Sequence, residues 1–262
     1  MKNYHQSPVR RTILPLVILL AALGITFNWL HLHPGDLYTR IMAIGASVCH
    51  QLPTHSYIRN DLQFPICARC SGLYLGCFIG MSYYAFQGRK SGLPKKEYLV
   101  LMLGLTIAWG GDGLNSLLSD MLGKPFLYTT TNTTRLVTGF GMGLVLSTAL
   151  MTLFNLTIWK DPQKTPLLNN RWQLFAYIVA AAVMGSMLVL AQGFIFRALA
   201  YVSTLSILVV ITALYTIFWV IVLRRENTFE NILSLTIFIS AGFATAMLQI
   251  TLLTALRGWL IG

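Results

Sequence analysis

Long runs without a single charged residue limit what this chain can fold into. Thr12 to Trp29, Trp172 to Gln192 and Leu199 to Leu223 are such runs. Each is about as long as a helix needs to cross a hydrocarbon core of about 30 Å. Only 10% of the residues are charged and 55% are hydrophobic, whereas soluble domains carry about 25% charged residues. A chain this apolar cannot cover itself with polar surface in water. Alternating strand patterns are absent, which argues against an outer-membrane barrel. The expected fold is all-α, a polytopic membrane helical bundle in one transmembrane domain, 1–262.

Seven spans are expected, at 12–30, 66–87, 97–118, 135–158, 172–192, 199–223 and 231–256. The first has no small-residue cleavage site behind it and reads as a retained signal anchor. Between the first two spans, Asp36 is a good N-cap for a short amphipathic helix at 37–48. That helix is too short to cross the bilayer and is expected at the interface. A short turn is expected around Phe194 to Arg197.

The formal net charge is +11. In a soluble protein that would suggest nucleic acid, but here the basic residues cluster in alternate loops, and no nucleic-acid partner is expected. The clusters are Lys2, Arg10 and Arg11; Arg89, Lys90, Lys95 and Lys96; Lys160, Lys164 and Arg171; and Arg224 with Arg225. Positive charge in short loops resists export. This places the N-terminus in the cytoplasm, the C-terminus outside, and the protein in a bacterial cytoplasmic (plasma) membrane. The segment between the first two spans then faces outward.

That segment holds the densest chemistry in the chain. Cys49-His50-Gln51-Leu52-Pro53 is followed, after a polar loop containing His55, by Cys67-Ala68-Arg69-Cys70. Cys67 and Cys70, three apart at a helix start, present both sulfurs to one side. With Cys49 and His50 they have the ligand types of a tetrahedral zinc site. Soft thiolates also suit copper(I). Two other readings stay open: a disulfide or redox pair, as extracytoplasmic cysteines often form, or reduced structural thiols. Cys77, two turns deeper, reads as packing.

Asp112 lies within the third span. Counted from Glu97 at ~1.5 Å per residue, it is about 23 Å in, toward the outer side. A buried carboxylate needs a partner or a polar cavity. Arg135, which opens the fourth span on the same side, is the expected partner; it also suits an anionic head group. Asn132 precedes it by one turn. Asp112, Arg135 and Asn132 are therefore the candidate catalytic or cavity residues. His5, His31 and His33 read as interfacial, and Gln192 and Gln249 as interhelical hydrogen-bonding groups. Gly72, Gly76 and Gly80, like Gly139 and Gly143, recur every fourth residue, the spacing that lets helix backbones approach in lipid.

Taken together, Cys49-His50-Gln51-x-Pro53, Cys67-Ala68-Arg69-Cys70-x-Gly72-x-Tyr74-x-Gly76, Asp112-Gly113 and Asn132-x2-Arg135-x3-Gly139-x3-Gly143 resemble the prokaryotic membrane-protein family catalogued as domain of unknown function 2085. The resemblance covers about residues 40 to 145, roughly four spans. One departure is visible: His55 stands where the family pattern usually has Arg. The resemblance implies membrane location and names no activity.

From the residues, the expectation is an outward-facing Cys/His metal site beside an Asp/Arg pocket. As an enzyme, it would use the metal on a lipid or lipid-linked group, with Asp112 as base or orienter and Arg135 on a phosphate. The alternatives are a transporter of an ion or amphiphilic anion, and a thiol-disulfide protein.

Overall fold

The computed structural model describes residues 8–261 of the chain, with side chains from 15 to 260. Lys2 and His5 lie outside the described residues, and the side chains of Arg10 and Arg11 are likewise outside them. Eight α-helices are present among the described residues: α1 (Pro8–Leu32), α2 (Leu37–Ala46), α3 (Ala68–Ala85), α4 (Lys96–Leu122), α5 (Asn132–Ile158), α6 (Arg171–Leu190), α7 (Gly193–Val222) and α8 (Ile232–Ile261). Two short strand pairs complete the architecture. β1 (Ile58–Arg59) and β2 (Leu62–Gln63) form a hairpin; β3 (Lys90–Gly92) and β4 (Gln163–Pro166) pair in parallel.

Five helices are long and apolar enough to cross a membrane: α1 from Pro15, α5, α6, α7 and α8. The fold is all-α and of the membrane type. Helices α3 and α4 occupy the other two expected spans but fall outside that set. They are the helices that carry Arg69 and, in α4, Lys96, Glu97, Asp112 and Asp120. Helix α7 already begins at Gly193, so the turn expected at Phe194 to Arg197 is its first turn. The chain turns instead at Gly193, whose φ of +52° favours glycine.

Glycine dictates the tightest packing. A Cβ on Gly72 would lie 2.2 Å from the Leu136 carbonyl oxygen, and one on Gly139 would lie 2.3 Å from the Arg69 oxygen. Further along, Gly76 meets Phe140, and Gly80 meets Ser147. The Tyr84 hydroxyl then bonds Thr148 Oγ1 at 2.9 Å. The contacts advance together along both helices, so α3 and α5 run parallel with their backbones touching. Helix α4 runs the other way beside α5: Leu105 packs on Gly141, and Ser116 meets Arg135. In α6, Tyr177 donates to the Phe140 carbonyl at 2.7 Å. Tyr215 of α7 donates to Gln249 of α8 at 2.8 Å, the interhelical role expected of Gln249. Gln192 instead N-caps α7 without a side-chain bond.

The two ends of the bundle differ chemically. One gathers the basic loops. There the Lys160 ammonium pairs with Glu230 at 2.7 Å, Arg89 donates to the Glu230 carbonyl, and Asn155 donates to the Lys90 carbonyl at 2.8 Å. The Arg89 guanidinium lies 4.3 Å from the centre of the Trp159 ring, a cation–π contact. The other end gathers the cysteines. Helix α2 lies there with Tyr38, Ile41 and Ile44 buried, its N-terminus capped by Asp36, which accepts from the Thr39 N–H at 2.9 Å.

Candidate metal centre and adjoining polar site

Three sulfurs converge at the start of α3. Cys67 is its N-cap residue and Cys70 sits in its first turn. The positive end of the helix dipole favours thiolate at Cys67, the N-cap position. Cys49 arrives from the end of α2, where its N–H is bonded to the Gly45 carbonyl at 3.0 Å. The Cys67 N–H donates to Cys49 Sγ at 3.1 Å. The sulfur atoms of Cys49, Cys67 and Cys70 all lie within 4.8 Å of one another. All four cysteines are free thiols, and Cys77 is fully buried among apolar side chains of the bundle.

His50 lies at the rim of this group, next to Cys49. Its Nδ1 is 3.6 Å from Cys49 Sγ, and its ring is exposed while the sulfurs are largely enclosed. The Cys49 sulfur beside it pushes its pKa up to about 10. On the far side, His50 Nε2 is 3.2 Å from His55 Nδ1. His55 Nε2 is in turn 3.4 Å from an Asp120 carboxylate oxygen. Burial, aided by the charge of Arg135, holds His55 below the ordinary histidine range. The result is a line of close polar contacts from Cys49 through two imidazoles to Asp120 of α4.

The corner carrying Cys49 and His50 is held by residues on three sides. Gln51 sits at φ +56°, turning the chain back, and its side-chain amide donates to the Met42 and Pro65 carbonyls at 2.8 and 2.7 Å. A left-handed non-glycine residue is uncommon and tends to mark a functional turn. From α8, Arg257 donates to the carbonyls of Ala46, Cys49 and His50. This clamp was not foreseen: a single arginine late in the last helix carries no spacing that links it to a distant loop.

The carboxylate of Asp112 is buried, as expected, but its partner is Arg69 and not Arg135. Arg69 Nε lies 3.1 Å from Asp112 Oδ2, and Arg69 Nη2 donates to the Asp112 carbonyl at 3.0 Å. The physical reason is the glycine contact between α3 and α5, which brings the first turn of α3 against α4. Tyr128 donates to the other carboxylate oxygen at 2.7 Å, and Thr138 approaches Oδ2 at 3.4 Å. Asp112 is thus saturated with donors.

Arg135 is also buried, at 6% exposure. It donates to Asn132 Oδ1 at 3.0 Å and to Ser116 Oγ at 2.9 Å. Asn132 links the segment after Cys49 to α5: its amide donates to the Ser56 carbonyl at 3.3 Å, and its own carbonyl accepts from Tyr57 at 3.3 Å. So Asp112, Asn132 and Arg135 all sit at the cysteine end, but in two separate hydrogen-bonded groups. Arg69 and Tyr128 belong to the Asp112 group, whereas His55 and Asp120 belong to the line from His50.

A helical bundle with such a polar end is an all-α integral membrane protein. A family model described as "Predicted membrane protein (DUF2085)" matches residues 49–149, the segment from Cys49 through most of α5. A relative from Methanocaldococcus jannaschii, "Uncharacterized protein MJ1492", is 30% identical over 142 residues, covering 53% of this chain and 82% of the relative. The chain belongs to this DUF2085 family of membrane proteins. No solved structure matches it.

Proposed function

We propose that this is a multi-pass protein of the cytoplasmic membrane whose outward end holds a metal ion, zinc before copper, on Cys49, Cys67, Cys70 and His50. The observation that carries this reading is the convergence of three sulfurs within 4.8 Å. Tetrahedral zinc with bonds of about 2.3 Å to sulfur and about 2.0 Å to nitrogen sets S···S near about 3.8 Å and N···S near about 3.5 Å. The 3.6 Å between His50 Nδ1 and Cys49 Sγ fits the second of these. The outer hydrogen bond from His50 to His55 is the kind that orients a ligating imidazole.

Four protein ligands close a zinc site and make it structural. Here the ion would staple the 49–50 corner to α3. The basic loops at the opposite end support the orientation, since positive charge stays in the cytoplasm. The exposure of His50 favours a second reading, in which a substrate oxygen displaces it. Zinc would then polarise that oxygen in metal-assisted chemistry on a lipid or lipid-linked group. The closed ion pair of Asp112 favours a structural role over that of a catalytic base.

Elemental analysis of purified protein, with thiols counted in the same sample, tests the proposal. About one zinc or copper per chain is expected, with three thiols slow to alkylate until chelator is added. A metal-free, stable protein in which two of Cys49, Cys67 and Cys70 are disulfide-linked would overturn it.

A further inference from the structure

Beyond the metal reading, and independent of it, a polar cavity of about 380 Å³ opens between the end of α4 and the start of α5. Ser116, Ser119, Lys124, Thr129, Thr130 and Arg135 line it, together with Asp120. Arg135 is 94% buried by the exposure given above, yet none of its bonds goes to an acid. Asn132 and Ser116 are neutral, and Asp112 is taken by Arg69. Among the described residues no carboxylate forms a salt bridge with Arg135, and its buried Nε has no hydrogen-bond partner. Asp112 and Asp120 lie near enough to act on it through space but neither touches it, and a buried guanidinium with no acid in contact is costly, which suits the place to an anion.

We infer that this cavity binds a phosphate group. Arg135 supplies the fixed buried charge. Lys124, exposed on the loop, supplies a second positive charge at the mouth, and the hydroxyls of Ser116, Thr129 and Thr130 supply donors for further phosphate oxygens. The α5 N-terminus beside it adds the positive end of a 27-residue helix dipole. Asp120 is the one acid in the lining, and its carboxylate is turned to His55. The phosphate arrives either free or on a lipid head group at the membrane surface; recognition by these residues is the same.

The test uses full-length protein in detergent, with unfolding temperature and equilibrium binding as readouts. The probes are inorganic phosphate against chloride, and micelles doped with phosphatidic acid against diacylglycerol, which lacks the phosphate. Stabilisation by both phosphate and phosphatidic acid is expected for a site open to the free ion. Stabilisation by phosphatidic acid alone assigns the phosphate to a lipid. In either case Arg135→Gln should weaken binding about 30-fold or more. Lys124→Gln, an exposed loop change that leaves the bundle intact, should weaken it by a smaller factor. Lys164→Gln, at the opposite end, should change nothing. If neither probe shifts the wild-type protein, or if Lys124→Gln and Arg135→Gln both bind as the wild type does, the assignment is wrong.

Discussion

Arg69 and Asp112 join α3 to α4 through a two-point contact, side chain to carboxylate at 3.1 Å and side chain to backbone carbonyl at 3.0 Å. The Asp112 side chain is 1% exposed. Removing one member of such a pair strands the other charge in a low dielectric, at about 3–5 kcal/mol. Asp112→Asn should therefore lower stability in detergent by that amount and reduce yield. Arg69→Gln with Asp112→Asn should recover much of the loss. Thermal unfolding of the three variants measures this. A double variant no better than Asp112→Asn alone would remove the pair from the account of stability.

The α3–α5 contact makes a sharper steric prediction. At Gly72 and Gly139 an added methyl group meets backbone at 2.2 and 2.3 Å, and backbone cannot swing aside as a side chain can. Gly72→Ala and Gly139→Ala should each cost about 1–3 kcal/mol. Gly104, with nothing within 4 Å of its added Cβ, is the internal comparison, and Gly104→Ala should be close to neutral. Equal melting temperatures for all three would show that the helices do not touch there.

His55 offers a test of the metal centre that leaves every proposed ligand in place. His55→Ala removes the ring that contacts the outer nitrogen of His50 at 3.2 Å. Loss of such an outer partner lowers metal affinity about 10–100-fold. Competition with a chromogenic chelator should show that drop, with Cys67→Ser and Cys70→Ser losing most of the metal and Cys77→Ala none. Unchanged affinity in His55→Ala would detach the two-imidazole line from the ion.

Orientation is tested by fusions. A reporter active only outside the cytoplasm should be active after Asp61, near the cysteines, and silent after Lys96, among the basic loops. The opposite pattern would put the cysteine end inside the cell.

The helices were legible because each carries its own signal: an uncharged run, a cap such as Asp36, or glycines every fourth residue. The Cys-x2-Cys pair was legible for the same reason. What the sequence did not show were pairings between helices. Arg69 and Arg135 are both arginines at the cysteine end of a helix, and spacing does not say which one faces Asp112. The depth of the α3–α5 groove decides it, and that depth comes from glycines on two separate segments. His55 and Asp120 are similarly ordinary alone, and their line to His50 exists only when α4 extends to Leu122, beyond the expected end at 118. The parallel pairing of Lys90–Gly92 with Gln163–Pro166 joins two loops that the sequence marks only by their basic residues.

The clamp made by Arg257 has a consequence for biogenesis. The three carbonyls it binds belong to Ala46, Cys49 and His50, more than two hundred residues earlier in the chain. Until α8 is in place these three carbonyls lack their guanidinium donor, and the Cys49–His50 corner rests on nearer contacts such as those of Gln51 to Met42 and Pro65. Completing the cysteine end therefore requires the last helix of the chain.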